Sequence, residues 1–303
     1  MRLVMKFGGG LLVSQKGYSD CAKLVRDITA EGHEVVVVVS AMGGVTDQLV
    51  DAMDSLDGGT SQGIGTLCGS LRSLHQATAG GAGAADRIGE KIDDLIGILE
   101  RALEKYAGGD GTAQRSDEIS SMGERLSAPI FAHYLEELGV PTDSLTGGEA
   151  GIVTDSNFGN ASPDMETCRE LVGTRLGSLL DRGKTPVVTG FMAENAEGEI
   201  TTMGRGGSDY TTSIIGACLG VDEIWIWKDV CGIMTANPKV VPEAKTIPLL
   251  SYSEAAELAH FGASVLHPRT MEPAMRSMIP IRVKDATRPD LEGTLIGGDS
   301  LEV

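Results

Sequence analysis

Short apolar runs alternate with segments of helical periodicity along the whole chain. Val35–Val39 is a β-branched run, typical of a strand covered on both faces. The patterns predict strands at 3–7, 34–40, 141–145, 152–154, 186–189, 198–203 (a hairpin arm), 223–227 and 281–284. They predict helices at 16–30, 46–53, 85–106, 116–138, 165–182, 208–219, 253–261 and 268–277. This alternation predicts an α/β fold with a largely parallel sheet.

Three details of the pattern concern the middle of the chain. Ser116 is the predicted N-cap of the 116–138 helix, because the acidic Asp117 and Glu118 follow it. Residues 57–69 contain several glycines and are predicted to form a loop. No Pro/Ser-rich linker separates two halves, so we expect any division to be a cleft between lobes of one sheet.

Composition and the length of apolar runs argue against nucleic-acid and membrane partners. The 303 residues include 43 acidic and 25 basic side chains, a formal net charge of −18, and only 4% aromatics. Such a chain lacks the basic and stacking surfaces that nucleic acids require. No run approaches the ~18 apolar residues of a membrane span, and the N-terminus does not resemble a signal peptide. We therefore expect a cytoplasmic protein without nucleic-acid or membrane partners.

Cysteine, histidine and glycine narrow the picture further. The five cysteines form no CxxC pair and the five histidines no HxxxH spacing, so we expect reduced thiols and no metal site. Glycine is abundant: the 41 residues are nearly twice the average share of about 7%. This abundance predicts tight loops and close approach of backbone to a ligand.

Lys6 and three glycines close the first predicted strand. The N–H groups of Gly8, Gly9 and Gly10, with the Lys6 ammonium, would suit a phosphate. The same residues also fit an ordinary strand-to-helix turn. The segment is not a GxxxxGK(S/T) loop, and no acidic residue closes a strand about twenty positions later, as a dinucleotide site requires.

A second glycine cluster brackets an arginine just before a predicted helix. Arg205 lies within Gly204–Gly207, and Ser208 and Asp209 begin the helix. A guanidinium fork suits a carboxylate or phosphate, and the helix N-terminus adds partial positive charge. Asp209 would hold a cation or complement the helix dipole. The alternative is a glycine-rich turn with a solvated arginine.

Two further segments carry candidate residues. Gly123 inside a predicted helix would permit close approach of a backbone or ligand and turn Glu124 into a cleft. Periodicity alone favours a solvated Glu124 on an exposed face. Ser40 to Thr46 follows the valine run at the carboxyl end of a strand, where α/β sheets bind ligands, although an ordinary turn fits equally.

In order along the chain, these segments resemble the aspartate kinase family. The matching segments span residues 6 to 296: KFGG, SAMGGVTD, SMGERLSAPI, GGEAGIVTDSNFG, VVTGF, TTMGRGGSDYT, FGASVLHPRT and GTLI. The resemblance implies a three-layer α/β/α amino-acid kinase (carbamate kinase-like) fold with a mainly parallel central sheet. It implies two lobes, with residues 1–195 binding the amino acid and 196–303 binding the nucleotide.

The implied reaction is ATP- and Mg²⁺-dependent phosphorylation of the L-aspartate β-carboxylate, which gives 4-phospho-L-aspartate for lysine, threonine and methionine biosynthesis. Lys6 matches the residue that neutralises the transferring phosphoryl group, and Asp209 a carboxylate beside the reacting groups. Arg205 matches the residue that binds the α-carboxylate, and Glu124 the one that takes the α-ammonium. The other matches around the aspartate pocket are Ser40, Thr46, Phe191 and Ser208.

The nucleotide side departs from the family pattern. The positions matched there are Lys6, Gly8, Gly9, Gly10, Lys228, Asp229, Met234, Lys239 and Ser264. Gly10 and Leu11 replace a Thr-Ser pair, Lys228 a threonine, Met234 a tyrosine, Lys239 an arginine and Ser264 a lysine. Lysine and arginine are not equivalent at a bidentate site. The departures leave open an altered nucleotide preference, a weaker kinase or a catalytically silent paralogue.

The resemblance also bears on partners and regulation. Family members commonly carry ACT domains after the GTLI segment, whereas this sequence stops at Val303. We therefore expect no lysine or threonine site within the chain, and a separate ACT-domain subunit becomes a candidate partner. A homodimer is expected because dimers are common in this fold. The alternatives are a related small-acid kinase and an aspartate-binding paralogue that serves as a subunit.

Overall fold

The computed structural model describes residues 1–56, 61, 63–80, 86–237, 240–260 and 266–298. The strands are β1 (Arg2–Phe7), β2 (Glu34–Val39), β3 (Thr142–Leu145), β4 (Val153–Thr154), β5 (Thr185–Thr189), β6 (Met192–Asn195), β7 (Ile200–Thr202), β8 (Glu223–Lys228), β9 (Leu249–Ser251), β10 (Ile281–Asp285) and β11 (Thr294–Gly297). The helices are α1 (Gln15–Ala30), α2 (Val45–Leu56), α3 (Ile64–Thr78), α4 (Asp86–Ala107), α5 (Ala113–Ser120), α6 (Met122–Glu137), α7 (Met165–Leu180), α8 (Gly207–Leu219), α9 (Tyr252–His260) and α10 (Pro268–Arg276).

The main sheet has the strand order β3-β5-β2-β1-β8-β10-β11-β9. All neighbours are parallel except β10 and β11, so the predicted parallel sheet is confirmed. A smaller sheet has the order β4-β6-β7. Strands from before residue 195 lie on one side of the β1–β8 junction and strands from after it on the other. The two-lobe division at that residue stays a prediction.

Hydrophobic cores cover both faces of the main sheet. Val35, Val37 and Val39 point into a core with α1 to α6, whereas Val36 and Val38 point into a core with α7 to α10. All five valines are at most 1% exposed. Burying each contributes roughly 1.5 kcal/mol or more. The valine run is therefore buried on both faces as predicted, and the α/β/α layering is confirmed.

The predicted 116–138 helix is wrong, because two helices occupy this segment. Thr112, not Ser116, is the N-cap of α5, and its side chain accepts a hydrogen bond from the backbone N–H of Arg115. The chain turns at Ser121, whose hydroxyl donates to the carbonyl of Glu118 (2.8 Å) and so competes with helical bonding. The new helix, α6, starts one residue later.

The predicted 57–69 loop is also wrong at its end, because α3 begins at Ile64. Ile64 and Cys68 bury one face of that helix, and this burial outweighs the poor helix propensity of its glycines. Residues 57–60 and 62 lie outside the described residues.

The sequence pattern does not predict β9 or β11, which are three and four residues long and too short to show a period. Among the helices that the structure describes, none is long and apolar enough to cross a bilayer.

Candidate active site

A cleft of about 590 Å³ lies at the carboxyl end of the central strands, where α/β sheets commonly bind ligands. Its walls come from the loops after β1, β2 and β5, the first turn of α6 and the β7–α8 turn. Most of the predicted site residues line it together: Lys6, Gly9, Gly10, Ser40, Thr46, Glu124, Phe191, Arg205, Ser208 and Asp209. The sequence analysis missed Asp47, which follows the predicted Thr46 and also lines the cleft.

A buried ion pair forms the floor of the cleft. Nζ of Lys6, near the end of β1, lies 2.7 Å from Oδ1 of Asp209 in the first turn of α8. The two side chains are 8% and 10% exposed. A Cβ at Gly8 would come within 3.4 Å of that Nζ, although Gly8 itself is not part of the lining. Because both groups are buried, water screens their attraction little, and Asp209 helps to fix the position of the ammonium.

Glu124 presents a carboxylate with one partnered oxygen. Its Oε1 accepts a hydrogen bond from the backbone N–H of Ala41 (3.1 Å), while Oε2 is buried and accepts none from any described residue. Burial raises the pKa of Glu124 to about 8, even though the Ala41 N–H and the Lys6 ammonium lower it. A hydrogen-bond donor or a cation bound in the cleft would therefore stabilise this buried, unsatisfied carboxyl oxygen.

Close backbone approach places Glu124 there. A Cβ at Gly123 would come within 2.6 Å of the Cβ of Ala41, so only glycine lets α6 pack against the loop after β2. The expectation of a solvated Glu124 from periodicity is wrong, since the residue is 4% exposed. The break at Ser121 is the cause, because it sets Glu124 in a first helical turn that faces the cleft.

The opposite wall is held by two more close approaches. A Cβ at Gly190 would come within 2.5 Å of the Cβ of Ser208, and one at Gly207 within 2.8 Å of the Phe191 ring. Phe191 itself adopts φ +68°, and its N–H donates to Oγ1 of Thr211 (3.0 Å). Non-glycine residues at positive φ cost about 1–3 kcal/mol and concentrate at functional sites.

Arg205 lies on the same wall, in the turn between β7 and α8. Gly204 (φ +71°) and Gly206 (φ +76°) flank it and supply the left-handed conformations that the turn needs. Arg205 is exposed and lines the cleft, and among the described residues its guanidinium has no hydrogen bond or ion pair. The cleft thus carries an unpaired cation on one wall and a half-partnered carboxyl group on another.

The predicted nucleotide residues are less closely grouped. Burial lowers the pKa of Lys228 at the end of β8, with Lys6 adding to the effect and Asp209 and Asp229 opposing it. Asp229 lines a second cavity of about 560 Å³, which Gly10 also borders. Met234 forms an isolated antiparallel β-bridge with Thr246 and lines neither cavity. The other two predicted positions, Lys239 and Ser264, lie outside the described residues.

Comparisons with known proteins agree over nearly the whole chain. Aspartokinase 2, chloroplastic, of Arabidopsis thaliana is 36% identical over 296 residues, which is 97% of this chain and 54% of that protein. Lysine-sensitive aspartokinase 3 of Escherichia coli is 33% identical over 294 residues, which is 97% of this chain and 64% of that protein. The chain therefore spans between about half and two thirds of the length of these relatives.

Solved structures give the same neighbours. E. coli aspartokinase III in complex with aspartate and ADP superposes with a TM-score of 0.90 at 32% identity, covering 99% of this chain and 65% of that one. Its complex with lysine and aspartate gives 0.89. The model of the amino acid kinase family matches residues 1–285. On that match, and on the sheet and layers described above, the chain belongs to the amino acid kinase family.

Proposed function

We propose that the protein transfers the γ-phosphoryl group of ATP to the β-carboxylate of L-aspartate. One observation carries the proposal: a buried carboxyl oxygen of Glu124 and the exposed guanidinium of Arg205 face one cleft without described partners. An α-amino acid offers an ammonium and a carboxylate, which complement these two groups.

The acceptor would be held at both charged ends. Arg205 would bind the α-carboxylate through its planar fork, and Glu124 would accept the α-ammonium. Ser40, Thr46 and Ser208 line the same cleft and offer hydroxyls for the remaining oxygens. A simple dicarboxylic acid would leave Glu124 without its cation, so the arrangement favours an amino acid over succinate.

The chemical step needs positioning and charge neutralisation more than proton transfer. The aspartate β-carboxylate, with an ordinary pKa near ~3.9, is ionised at neutral pH and requires no general base. Lys6 would neutralise charge on the transferring phosphoryl group, and Asp209 would hold Lys6 in place through the 2.7 Å ion pair. An ion pair only 8% and 10% exposed is screened little by water, which strengthens its effect on the transition state.

The donor would be Mg·ATP, with the metal carried in by the nucleotide. Gly9 and Gly10 line the cleft beside Lys6, and the Lys228 ammonium interacts with both Lys6 and Asp209. These residues would place positive charge and backbone N–H groups near the phosphates. We propose that residues 196–303 supply most of the nucleotide contacts, since β8 and the segments after it lie on the far side of β1.

The relatives support the same acceptor and donor. The relatives described above are named aspartokinases, and one solved neighbour contains aspartate and ADP. We also propose a cytoplasmic location and assembly as a homodimer, because dimers are common in this fold. Light scattering of the purified protein would test the dimer.

The test is formation of aspartyl hydroxamate. Acyl phosphates are trapped by hydroxylamine, so L-aspartate, ATP, Mg²⁺ and hydroxylamine should give hydroxamate at a rate proportional to enzyme. Succinate and D-aspartate should react far more slowly. A folded protein that binds L-aspartate but forms no hydroxamate with ATP or GTP would overturn the proposal.

A further inference from the structure

A buried carboxylate outside the cleft joins the segments that carry Glu124 and Arg205. Asp117, in α5, is 3% exposed. Its Oδ2 accepts hydrogen bonds from the backbone N–H groups of Thr202 (2.7 Å) and Gly159 (2.9 Å), and its Oδ1 accepts one from Oγ1 of Thr202 (2.8 Å). Three donors from two distant segments thus converge on one carboxylate.

Both bonded segments lead to the Arg205 turn. Thr202 ends β7 three positions before Arg205, and its carbonyl accepts from the N–H of Ala161 (2.9 Å). Gly204 packs on the neighbouring loop so tightly that a Cβ there would come within 3.1 Å of the Gly159 carbonyl oxygen. Asp117 therefore holds the end of β7 and the loop on which the turn rests.

The same loop is fixed from its other side. The guanidinium of Arg269, in α10, donates to the carbonyl of Ala161 (2.8 Å) and to the side chain of Asn160. Asp117 and Arg269 thus clamp residues 159–161 between α5 and α10. A displacement of α5 would be transmitted to the Arg205 turn through hydrogen bonds rather than through loose packing.

α5 is also continuous with the start of the Glu124 helix. The N–H of Ser121 donates to the carbonyl of Asp117 (3.0 Å), and α6 begins at the next residue, with Glu124 in its first turn. One residue is thereby connected through its backbone to Glu124 and through its side chain to the Arg205 turn. No pattern in the sequence indicates this double connection, because an acidic residue near the start of a predicted helix is expected to be a surface residue that complements the helix dipole.

We propose that Asp117 is a positioning residue that sets the separation between Glu124 and Arg205, and hence the fit of the amino-acid acceptor. The inference rests on the proposed function, since it assigns these two groups to the two ends of the substrate. It predicts that a change at Asp117 affects acceptor binding selectively. A residue that only stabilises the fold would reduce the amount of active protein and leave both Michaelis constants unchanged.

The test is a steady-state comparison of wild type with Asp117→Asn. Asparagine keeps the shape but loses the charge and places an N–H₂ donor against backbone donors. The KM for L-aspartate should rise roughly 10- to 100-fold while the KM for ATP and kcat change less than about threefold. The preference for L-aspartate over succinate should fall, because the two charged groups no longer match the acceptor.

Two further variants complete the design. Asp164→Asn removes an exposed carboxylate that also accepts backbone N–H groups, at the N-cap of α7, and should leave both Michaelis constants unchanged. Thr202→Val removes only the hydroxyl bond to Asp117 and should raise the KM for L-aspartate by a smaller factor, about three- to tenfold. If Asp117→Asn does not fold, Thr202→Val decides.

Three outcomes are distinct. A selective rise in the KM for L-aspartate supports the positioning role. An active wild type with unchanged or equally raised Michaelis constants in both Asp117→Asn and Thr202→Val overturns it and leaves the proposed function intact. An inactive wild type overturns the proposed function, and calorimetry with L-aspartate then tests whether Asp117→Asn weakens binding; unchanged affinity overturns the positioning role as well.

Discussion

The two walls of the cleft that we propose hold the acceptor differ from the segment beyond β8 in how their residues are positioned. Glu124 is positioned by the first turn of α6, and Arg205 by a turn between two glycines at positive φ. Phe191 itself adopts a strained backbone conformation. All three residues line one cavity. Beyond β8, Asp229 borders a second cavity and Met234 borders neither. The acceptor side is also where the sequence keeps the family pattern, whereas the donor side departs from it.

The difference shows where substitution is constrained. At each of the glycines 123, 190 and 207, a Cβ would come within 2.8 Å of a neighbouring atom. A larger residue at any of these positions would therefore displace one of the two walls. Beyond β8, Gly232 is confined to the same degree, since a Cβ there would come within 2.5 Å of Oγ1 of Thr294, whereas Met234 is only half-buried and lines neither cavity. Partly exposed loop residues tolerate change better than packed ones do. We therefore expect acceptor binding to be sensitive to small changes, and donor binding to be adjustable at Met234.

The largest effect is expected at the residue that both sides share. Lys6→Ala should lower kcat by about a thousandfold or more, because the ammonium that offsets phosphoryl charge is lost. It also strands the buried Asp209 charge, which should lower the melting temperature. In the double variant with Asp209→Asn, stability should recover and activity should not; hydroxamate turnover and thermal melts measure the two. Substantial turnover in Lys6→Ala would contradict the assigned role.

A smaller effect, confined to the acceptor side, is expected at Arg205. Arg205→Ala should raise the KM for L-aspartate by about a hundredfold, since it removes a bidentate charged contact, and should leave the KM for ATP near its wild-type value. Arg205→Lys is the matched control, because it keeps the charge but loses the bidentate fork. Its KM for L-aspartate should lie between those of wild type and Arg205→Ala. An ATP constant that rises in parallel would show that the two sides are not separate.

A pH effect of roughly 25-fold on acceptor binding is expected at Glu124. With a pKa of about 8 in the free protein, the carboxyl group is protonated at pH 7, and it must release its proton to accept the substrate ammonium. The KM for L-aspartate should therefore fall roughly 25-fold from pH 6.5 to 8.5, in proportion to the ionised fraction of Glu124. Initial rates across that range measure it, and Glu124→Gln should bind weakly with no such slope.

The same shift predicts a stability change of opposite sense. The folded pKa of Glu124 lies above its ordinary value of 4.5, so this group stabilises the fold below pH 4.5 and loses that contribution as pH rises to about 8. Without substrate, Glu124→Gln should therefore melt at a higher temperature than wild type at pH 8. Equal melting temperatures would mean that the buried oxygen already has a partner.

The smallest effect is expected on the donor side. Met234→Tyr replaces the methionine with the aromatic residue that the family carries there, which can stack on a base or ribose. The KM for ATP should fall about two- to fivefold, with the aspartate constant unchanged. Met234→Leu serves as the control for size without aromaticity. A shift in the aspartate constant would show that this segment reaches the acceptor.

The sequence predicts the layered fold well, because Val35–Val39 is buried on both faces and that pattern is local. It does not predict the helix break at Ser121, where the Ser121 hydroxyl donates to the carbonyl of Glu118. The position of Glu124 is missed by periodicity for the same reason. The family resemblance groups Glu124 with the other site residues, and Glu124 lines the cleft with them, since a motif records the outcome of tertiary contacts that a local pattern does not contain. Its contact with a substrate ammonium stays a prediction.

Other features have no local signal at all. The clamp on residues 159–161 joins Asp117 to Thr202, which lie 85 positions apart in the chain. Asp47, in the first turn of α2, lines the cleft together with residues of α6 and of the β7–α8 turn. Such contacts depend on how distant strands order within the sheet, and no spacing rule along the chain encodes that order.

In the reaction that we propose, the β-carboxylate of L-aspartate attacks the γ-phosphorus of ATP in this cleft. The most direct test uses L-aspartate labelled with ¹⁸O in the β-carboxylate, ATP, Mg²⁺ and hydroxylamine, with ³¹P NMR of the phosphate released. The released phosphate should carry one ¹⁸O, because the bridging oxygen leaves with phosphorus when hydroxylamine attacks the carbonyl carbon. Unlabelled phosphate would contradict it, since water would then be the acceptor.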